Sequence, residues 1–412
     1  MSLSAALPLG KPMSPGLVVL LLALLLGIQP VTTDLYLPAL PALTNELGAT
    51  VGQGQLTLTA LLLCFGLSQL VFGPLSDRFG RRPILLGGMA LYTLAGVANT
   101  LATSIEWLIV TRAVQGAAMG AAVMCARAII RDLYAPAEGA RVMARSLGGL
   151  GVIACLSPLS GGLLAPLVGW RWSLATLAVF GGVLLALLML RFEETARQRT
   201  PLHLRSLMRN WVRIAGHPGF LAWAGLQAAA YGGLFTFLAA SAFVFLNVYG
   251  VSRPMYGVAM ATASLAYIAG TFMCRRLLAR VGLQGAVKVG AAISLTGGTI
   301  MGLLALAGVH TWWAFLLPQY LFMVGHGIHQ PCTQTGAVAP FPQMAGAASA
   351  LSGFFLTVVA FAIGAWLGGR IDGTVFPLIN GIWFWTVVIA LIAWGPVQRW
   401  GHVAHPAVAA AK

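Results

Sequence analysis

Apolar residues run along this chain in unbroken stretches of about twenty or more, separated by short polar segments that are mostly basic. The stretches lack the two-residue alternation of a barrel strand, so each reads as a helix. A helix crosses the hydrocarbon of a bilayer with about 20 apolar residues. Lipid offers no partner to an unpaired backbone group, which leaves helices as the spanning element here. Twelve spans are predicted, at residues 16–40, 52–75, 84–104, 107–130, 142–166, 172–192, 218–247, 254–276, 286–308, 311–336, 344–369 and 375–397. Lys11 precedes the first run in the manner of a secretion signal. That run continues to Leu40 without a small-residue cleavage pattern, so an uncleaved first helix is expected.

Composition narrows the class. Of 412 residues, 59% are apolar and 8% charged, where a soluble domain carries about 25% charged residues. This excludes an ordinary cytosolic enzyme, a disordered chain and a disulfide scaffold. The formal charge of +15 would suit nucleic acid only if the basic residues shared a solvated face. They divide by side of the membrane instead. With the N-terminus cytoplasmic, 19 Lys and Arg fall on inner loops and termini, including Lys11, Arg78, Arg81, Arg82, Arg131, Arg197, Arg199 and Lys412. Three, Arg171, Arg253 and Arg370, fall outside, and Arg112 and Arg127 lie within the fourth span. The split follows the positive-inside rule and accounts for the charge without nucleic acid. The cysteines, Cys64, Cys125, Cys155, Cys274 and Cys332, have no metal or redox spacing and read as small buried hydrophobes.

The longest polar stretch, about 193–217, divides the spans six and six. The expected units are an N-terminal bundle over 1–192, a cytoplasmic linker over 193–217 and a C-terminal bundle over 218–412. After the second span the chain reads Leu75-Ser76-Asp77-Arg78-Phe79-Gly80, and after the eighth Leu277-Leu278-Ala279-Arg280-Val281-Gly282. Leu, Arg and Gly match at an offset of 202 residues. Two six-helix halves from a duplication are a transporter pattern, with a substrate site between them near the membrane midplane.

Gly73-Pro74-Leu75-Ser76-Asp77-Arg78-Phe79-Gly80-Arg81-Arg82-Pro83 resembles the signature loop between helices two and three of the major facilitator superfamily. The glycines suit a tight turn, and Asp77 with the arginines suits a switchable ionic latch. Three further stretches resemble its bicyclomycin/chloramphenicol-resistance branch: Thr33-Asp34-Leu35-Tyr36-Leu37-Pro38-Ala39-Leu40-Pro41; Arg112-Ala113-Val114-Gln115-Gly116, with Arg131-Asp132 closing the same helix; and Pro340-Phe341-Pro342 with Ala345-Gly346-Ala347-Ala348-Ser349-Ala350. The resemblance implies an all-α polytopic membrane protein in two six-helix halves. It implies a monomeric, proton-driven exporter of small, mostly apolar toxic compounds in a bacterial inner membrane, both termini cytoplasmic. Protons are then the coupling ion, with no cofactor or metal. The helix-five signature of antiporters, Gly-x-x-x-Gly-Pro-x-x-Gly-Gly, is incomplete. Here it reads Ile153 to Gly162, with Ser157 before Pro158 and only Gly161 and Gly162 of the four glycines. The proline still frees a helical carbonyl, that of Ala154.

Nine acids are present, and only Asp34 falls within a predicted span. An ionisable group in hydrocarbon costs about 2.5–3.5 kcal/mol on insertion scales and usually marks function. Proton coupling needs a carboxylate that binds and releases protons, so Asp34 is the candidate. Arg112 is expected at a similar depth, pairing with Asp34 directly or through water; a purely structural ion pair is the alternative. His326 and His329, in Gly325-His326-Gly327-Ile328-His329-Gln330-Pro331, are helical neighbours. They are expected, with Gln330, to line a cavity or to bond helix to helix. The resemblance puts Tyr36, Gln115 and Tyr231 on cavity-lining helices, and Gly73, Asp77, Arg78, Gly80, Arg81, Arg82, Arg131, Asp132, Pro158, Gly161 and Gly162 in gating. An importer of the same fold, for a sugar or organic anion, is the competing function. A membrane enzyme would need paired acids, a nucleophile with its base or a metal cluster, and the sequence shows none.

Overall fold

A computed structural model of the chain describes residues 13–134, 136–196 and 204–402. The expectations for Lys11, Arg197, Arg199 and Lys412 lie outside the described residues. Thirteen long helices are described: α1 Pro15–Asp34, α2 Val51–Phe79, α3 Arg81–Thr100, α4 Ile105–Leu133, α5 Pro136–Val168, α6 Trp170–Arg191, α7 Leu204–Ala215, α8 Pro218–Phe243, α9 at 253–281, α10 at 283–306, α11 Trp312–Val338, α12 Ala345–Gly368 and α13 Phe376–Trp394. All except α7, the helix that connects the halves, are long enough to cross a bilayer. α11 has the composition least typical of a span. Its 27 residues rise about 40 Å at 1.5 Å each, but it carries Gln319, Tyr320, His326, His329, Gln330 and Gln334.

Two boundaries differ from expectation for physical reasons. The first span runs beyond 40. After Asp34 the chain tightens into a 3-10 turn at Leu37–Ala39, then resumes as a helix to Glu46. Pro38 and Pro41 remove backbone donors there without ending the rod. Asp34 is therefore twelve residues from the end of its span, deeper than the seven implied by an exit at Pro41. α9 and α10 are two helices that meet at a turn made by one residue, Gly282, with φ 68° and ψ −172°. Gly80, its match in the other half, has φ 103° and ψ 162°. Both lie in a left-handed region that side chains resist. The repeat seen in sequence is thus a repeat of backbone shape.

Within each half the helices meet at small residues, as expected where lipid is no less apolar than leucine. Large side chains such as Leu94, Leu167, Val183, Leu190 and Leu391 face outward, toward hydrocarbon. Between the halves the main contacts are α5 with α9 and α2 with α12. These two pairs exchange under the duplication. On the face opposite the Asp77 loop the seam is shut. Gln55 Nε2 donates to the Ala239 carbonyl, and a Cβ on Gly52 would lie 3.0 Å from the Gly368 carbonyl oxygen. On the Asp77 face the seam opens into a cavity of about 800 Å³.

Candidate functional site

The cavity runs inward from Asp77, Arg131 and the connecting helix α7 (Asn210, Trp211) to Gln29, Tyr231 and His326. α8 brings in Tyr231 and α11 brings in His326 and Gln330. The His326 ring stacks near Phe322, 6.2 Å between centroids, and lies 5.8 Å from the Tyr267 ring. The Tyr267 hydroxyl donates to Gln330 Oε1. His329 does not line this cavity. It is fully buried, against Gly290 of α10, where a Cβ would lie 3.0 Å from its Cε1. Of the two alternatives expected for the pair, lining the cavity holds for His326, whereas His329 packs between helices away from it. At 100° per residue, position i+4 returns closer to a given face than i+3 does. The cavity accordingly sees His326 and Gln330.

Tyr36 and Gln115 also lie off the cavity, in a buried polar network at the closed end. Arg112 is its centre and is wholly buried. Its Nη2 donates to the Thr32 carbonyl at 3.0 Å and its Nη1 to Gln115 Oε1 at 2.9 Å. Asn99 Nδ2 donates to the same oxygen at 2.8 Å. The guanidinium stacks over the Tyr36 ring, 4.3 Å to the centroid, a contact worth about 2 kcal/mol when desolvated. The Tyr36 hydroxyl is bonded to Thr57 at 2.6 Å. Asp34, half-buried, accepts from Thr33 Oγ1 at 2.7 Å and lies within electrostatic range of Tyr231 and Tyr256. Among the described residues Arg112 and Asp34 form no direct ion pair. Arg112 holds the carbonyl two residues before Asp34 instead. The acid and the cation have separate partners, and Arg112 Nε is left without one among the described residues.

The signature loop forms a network within one half. Arg81 Nη1 binds Asp77 at 2.6 Å and its Nε binds Asp132 at 2.9 Å, tying α2, α3 and α4. Arg131 lies 3.9 Å from Asp77. Arg82 Nη2 donates to the Met189 carbonyl at 3.2 Å. Arg78 takes no part and rests over the Phe79 ring. Glu194, which no motif marks, completes the network. Its carboxylate accepts from the backbone N–H groups of Arg81, Arg82, Thr195 and Ala196, at 2.8, 3.1, 3.0 and 3.0 Å. It thus caps the N-terminus of α3, where unpaired donors and the helix dipole favour an anion. Gly80 makes room for it, since a Cβ there would collide with Glu194 Oε2. Glu194→Gln is expected to lower stability by about 1.5–3 kcal/mol, the usual scale for a hydrogen bond to a charged group. Thermal unfolding in detergent measures this, and an unchanged midpoint would show the cap to be dispensable.

The helix-five glycines lie where helices nearly touch. A Cβ on Gly161 would fall inside the Leu35 carbonyl oxygen, next to Asp34. One on Gly162 would lie 2.8 Å from the Arg253 oxygen and 3.1 Å from Gly257 Cα, across the seam on α9. The Pro158 carbonyl faces Gly257 in the same contact. Gly73 lies on the cavity wall.

The Major Facilitator Superfamily profile matches residues 22–365. The chain is 30% identical to a chloramphenicol resistance protein of Pseudomonas aeruginosa, over 86% of this chain and 83% of that one. It is 31% identical to multidrug resistance protein D of Escherichia coli, over 81% and 84%. Its fold superposes on the crystal structure of a D-xylose-proton symporter with a TM-score of 0.75 at 14% identity, covering 92% of this chain and 97% of the other.

Proposed function

Since the chain belongs to the Major Facilitator Superfamily, in its bicyclomycin/chloramphenicol-resistance branch, we propose that it exports small, mostly apolar toxic compounds in exchange for protons. The Asp77 face is then cytoplasmic, and the protein lies in a bacterial inner membrane. The central cavity is the substrate site, open here toward the cytoplasm and shut on the other side. Relatives named for resistance to chloramphenicol and to multiple drugs support export.

One observation carries the coupling. Of nine acids, all among the described residues, Asp34 is the one placed well inside a span. A carboxyl at this depth is the group in the span that can carry a proton from one side to the other. Arg112, stacked on Tyr36 and bonded to the Thr32 carbonyl, holds the chain two residues before Asp34. Opening outward wets the site and loads a proton. Opening inward lets the proton leave as substrate binds.

The test is chloramphenicol transport by the purified protein in vesicles under an imposed proton gradient, with internal pH followed by dye. Antiport predicts that drug and protons move in opposite directions and that collapsing the gradient stops accumulation. Movement of both in the same direction would favour uptake.

A further inference from the structure

Arg127 sets the electrical character of the cavity. It lies on α4, six residues before the helix ends at Leu133, and its side chain is part of the cavity wall. Nη1 donates to Ser349 Oγ on α12 at 2.9 Å, joining the two halves. Nε and Nη2 have no protein partner among the described residues and are left to whatever occupies the cavity. Two other charged side chains line the space, Asp77 and Arg131, both at its mouth. Asp77 is held by Arg81 at 2.6 Å, so its charge is answered before it reaches the interior. Asp34 is outside the lining, and the deeper polar groups are amides such as Gln29, Gln69 and Gln227, hydroxyls such as Tyr231, and the His326 imidazole, none of them an anion. The interior therefore presents a cation with no facing anion.

We infer that Arg127 is the polar anchor for substrate, and that the cavity selects aromatic molecules that are neutral with a strong oxygen acceptor, or anionic, over cations. This rests on the proposal that the cavity is the substrate site. A guanidinium offers five donors in a planar fork and accepts nothing. Beside apolar walls it rewards a nitro, carbonyl or carboxylate oxygen and repels a positive charge. The surrounding surface, with Phe65, Met124, Tyr231 and Leu356 on the wall, takes the apolar body of the ligand.

The probes are 2-naphthoate, 2-naphthamide and 2-naphthamidine, which share one shape and differ in charge. Their binding to the full-length protein in nanodiscs is measured by equilibrium dialysis. Naphthoate and naphthamide are expected to bind at least about tenfold more tightly than naphthamidine, the scale of one charge-assisted hydrogen bond. Arg127→Gln should weaken naphthoate by about tenfold, leave naphthamide within a few-fold and erase the discrimination against naphthamidine. Arg127→Lys should retain the preference for the anion. A wild-type protein that binds naphthamidine most tightly, or folded protein that binds none of the three, overturns the inference. So does an Arg127→Gln variant, monodisperse on size exclusion, with unchanged naphthoate affinity. Should the charge preference hold while vesicles show no proton-linked chloramphenicol export, the antiport proposal fails and the recognition stands.

Discussion

Asp34→Asn is expected to reduce gradient-driven export to the level of empty vesicles while leaving the protein folded. Asparagine keeps the shape of the protonated acid but has no proton to release. The structural cost is small, because the carboxyl has one side-chain partner, its neighbour Thr33. Loss of one such bond costs about 0.5–1.5 kcal/mol, so the thermal midpoint should move little. Proton release on adding drug to detergent-solubilised protein should vanish together with transport. Asp34→Glu should retain part of both, since it keeps a titratable group about one methylene further from the backbone. No other acid can take over. Asp77 and Asp132 are engaged by Arg81 at the loop, and Glu46 is held by Arg171 and Trp170 at the far end of its span. Undiminished export by Asp34→Asn would remove the coupling mechanism.

The spans were legible because lipid demands a long apolar run, and that demand is written locally. The break between α9 and α10 was legible for a related reason, since Gly282 repeats Gly80 and a positive φ calls for glycine. What was hidden depends on rotation and on distant partners. Glu194 caps α3 from more than a hundred residues away, and no spacing rule connects it to the loop it completes. Arg127 was visible only as a charge inside the fourth span. That it faces a cavity depends on how α4 is turned against α12, a property of packing between halves. Tyr36 and Gln115 sit on helices that line the cavity in part, but their side chains point into the Arg112 network. The same ambiguity separated His326 from His329. Helical neighbours one turn apart differ in heading by tens of degrees, and in a bundle with several partners that angle decides between cavity and core.

Gly162→Leu is expected to abolish transport without unfolding the protein, whereas Gly161→Leu is expected to destabilise it. The two glycines are adjacent but meet different partners. Gly161 faces Leu35 within the N-terminal half, a contact present however the halves are arranged. The backbone there cannot yield to a side chain, and overpacking costs about 1–3 kcal/mol or more in every conformation. Gly162 faces Arg253 and Gly257 across the seam, on the face that is shut in this structure. A side chain there penalises only conformations in which α5 and α9 close. If the penalty again is about 1–3 kcal/mol, the balance shifts by about 5- to 150-fold toward opening of that face. The measurement is the distance between spin labels at Gln53→Cys and Arg370→Cys in a background without native cysteines. These positions flank the contact between Gly52 and Gly368. Gly162→Leu should lengthen this distance while leaving the thermal midpoint nearly unchanged, and Gly161→Leu should lower the midpoint. An unchanged distance in Gly162→Leu, with transport intact, would mean that the α5–α9 contact never parts during the cycle. The halves would then have to alternate about some other seam.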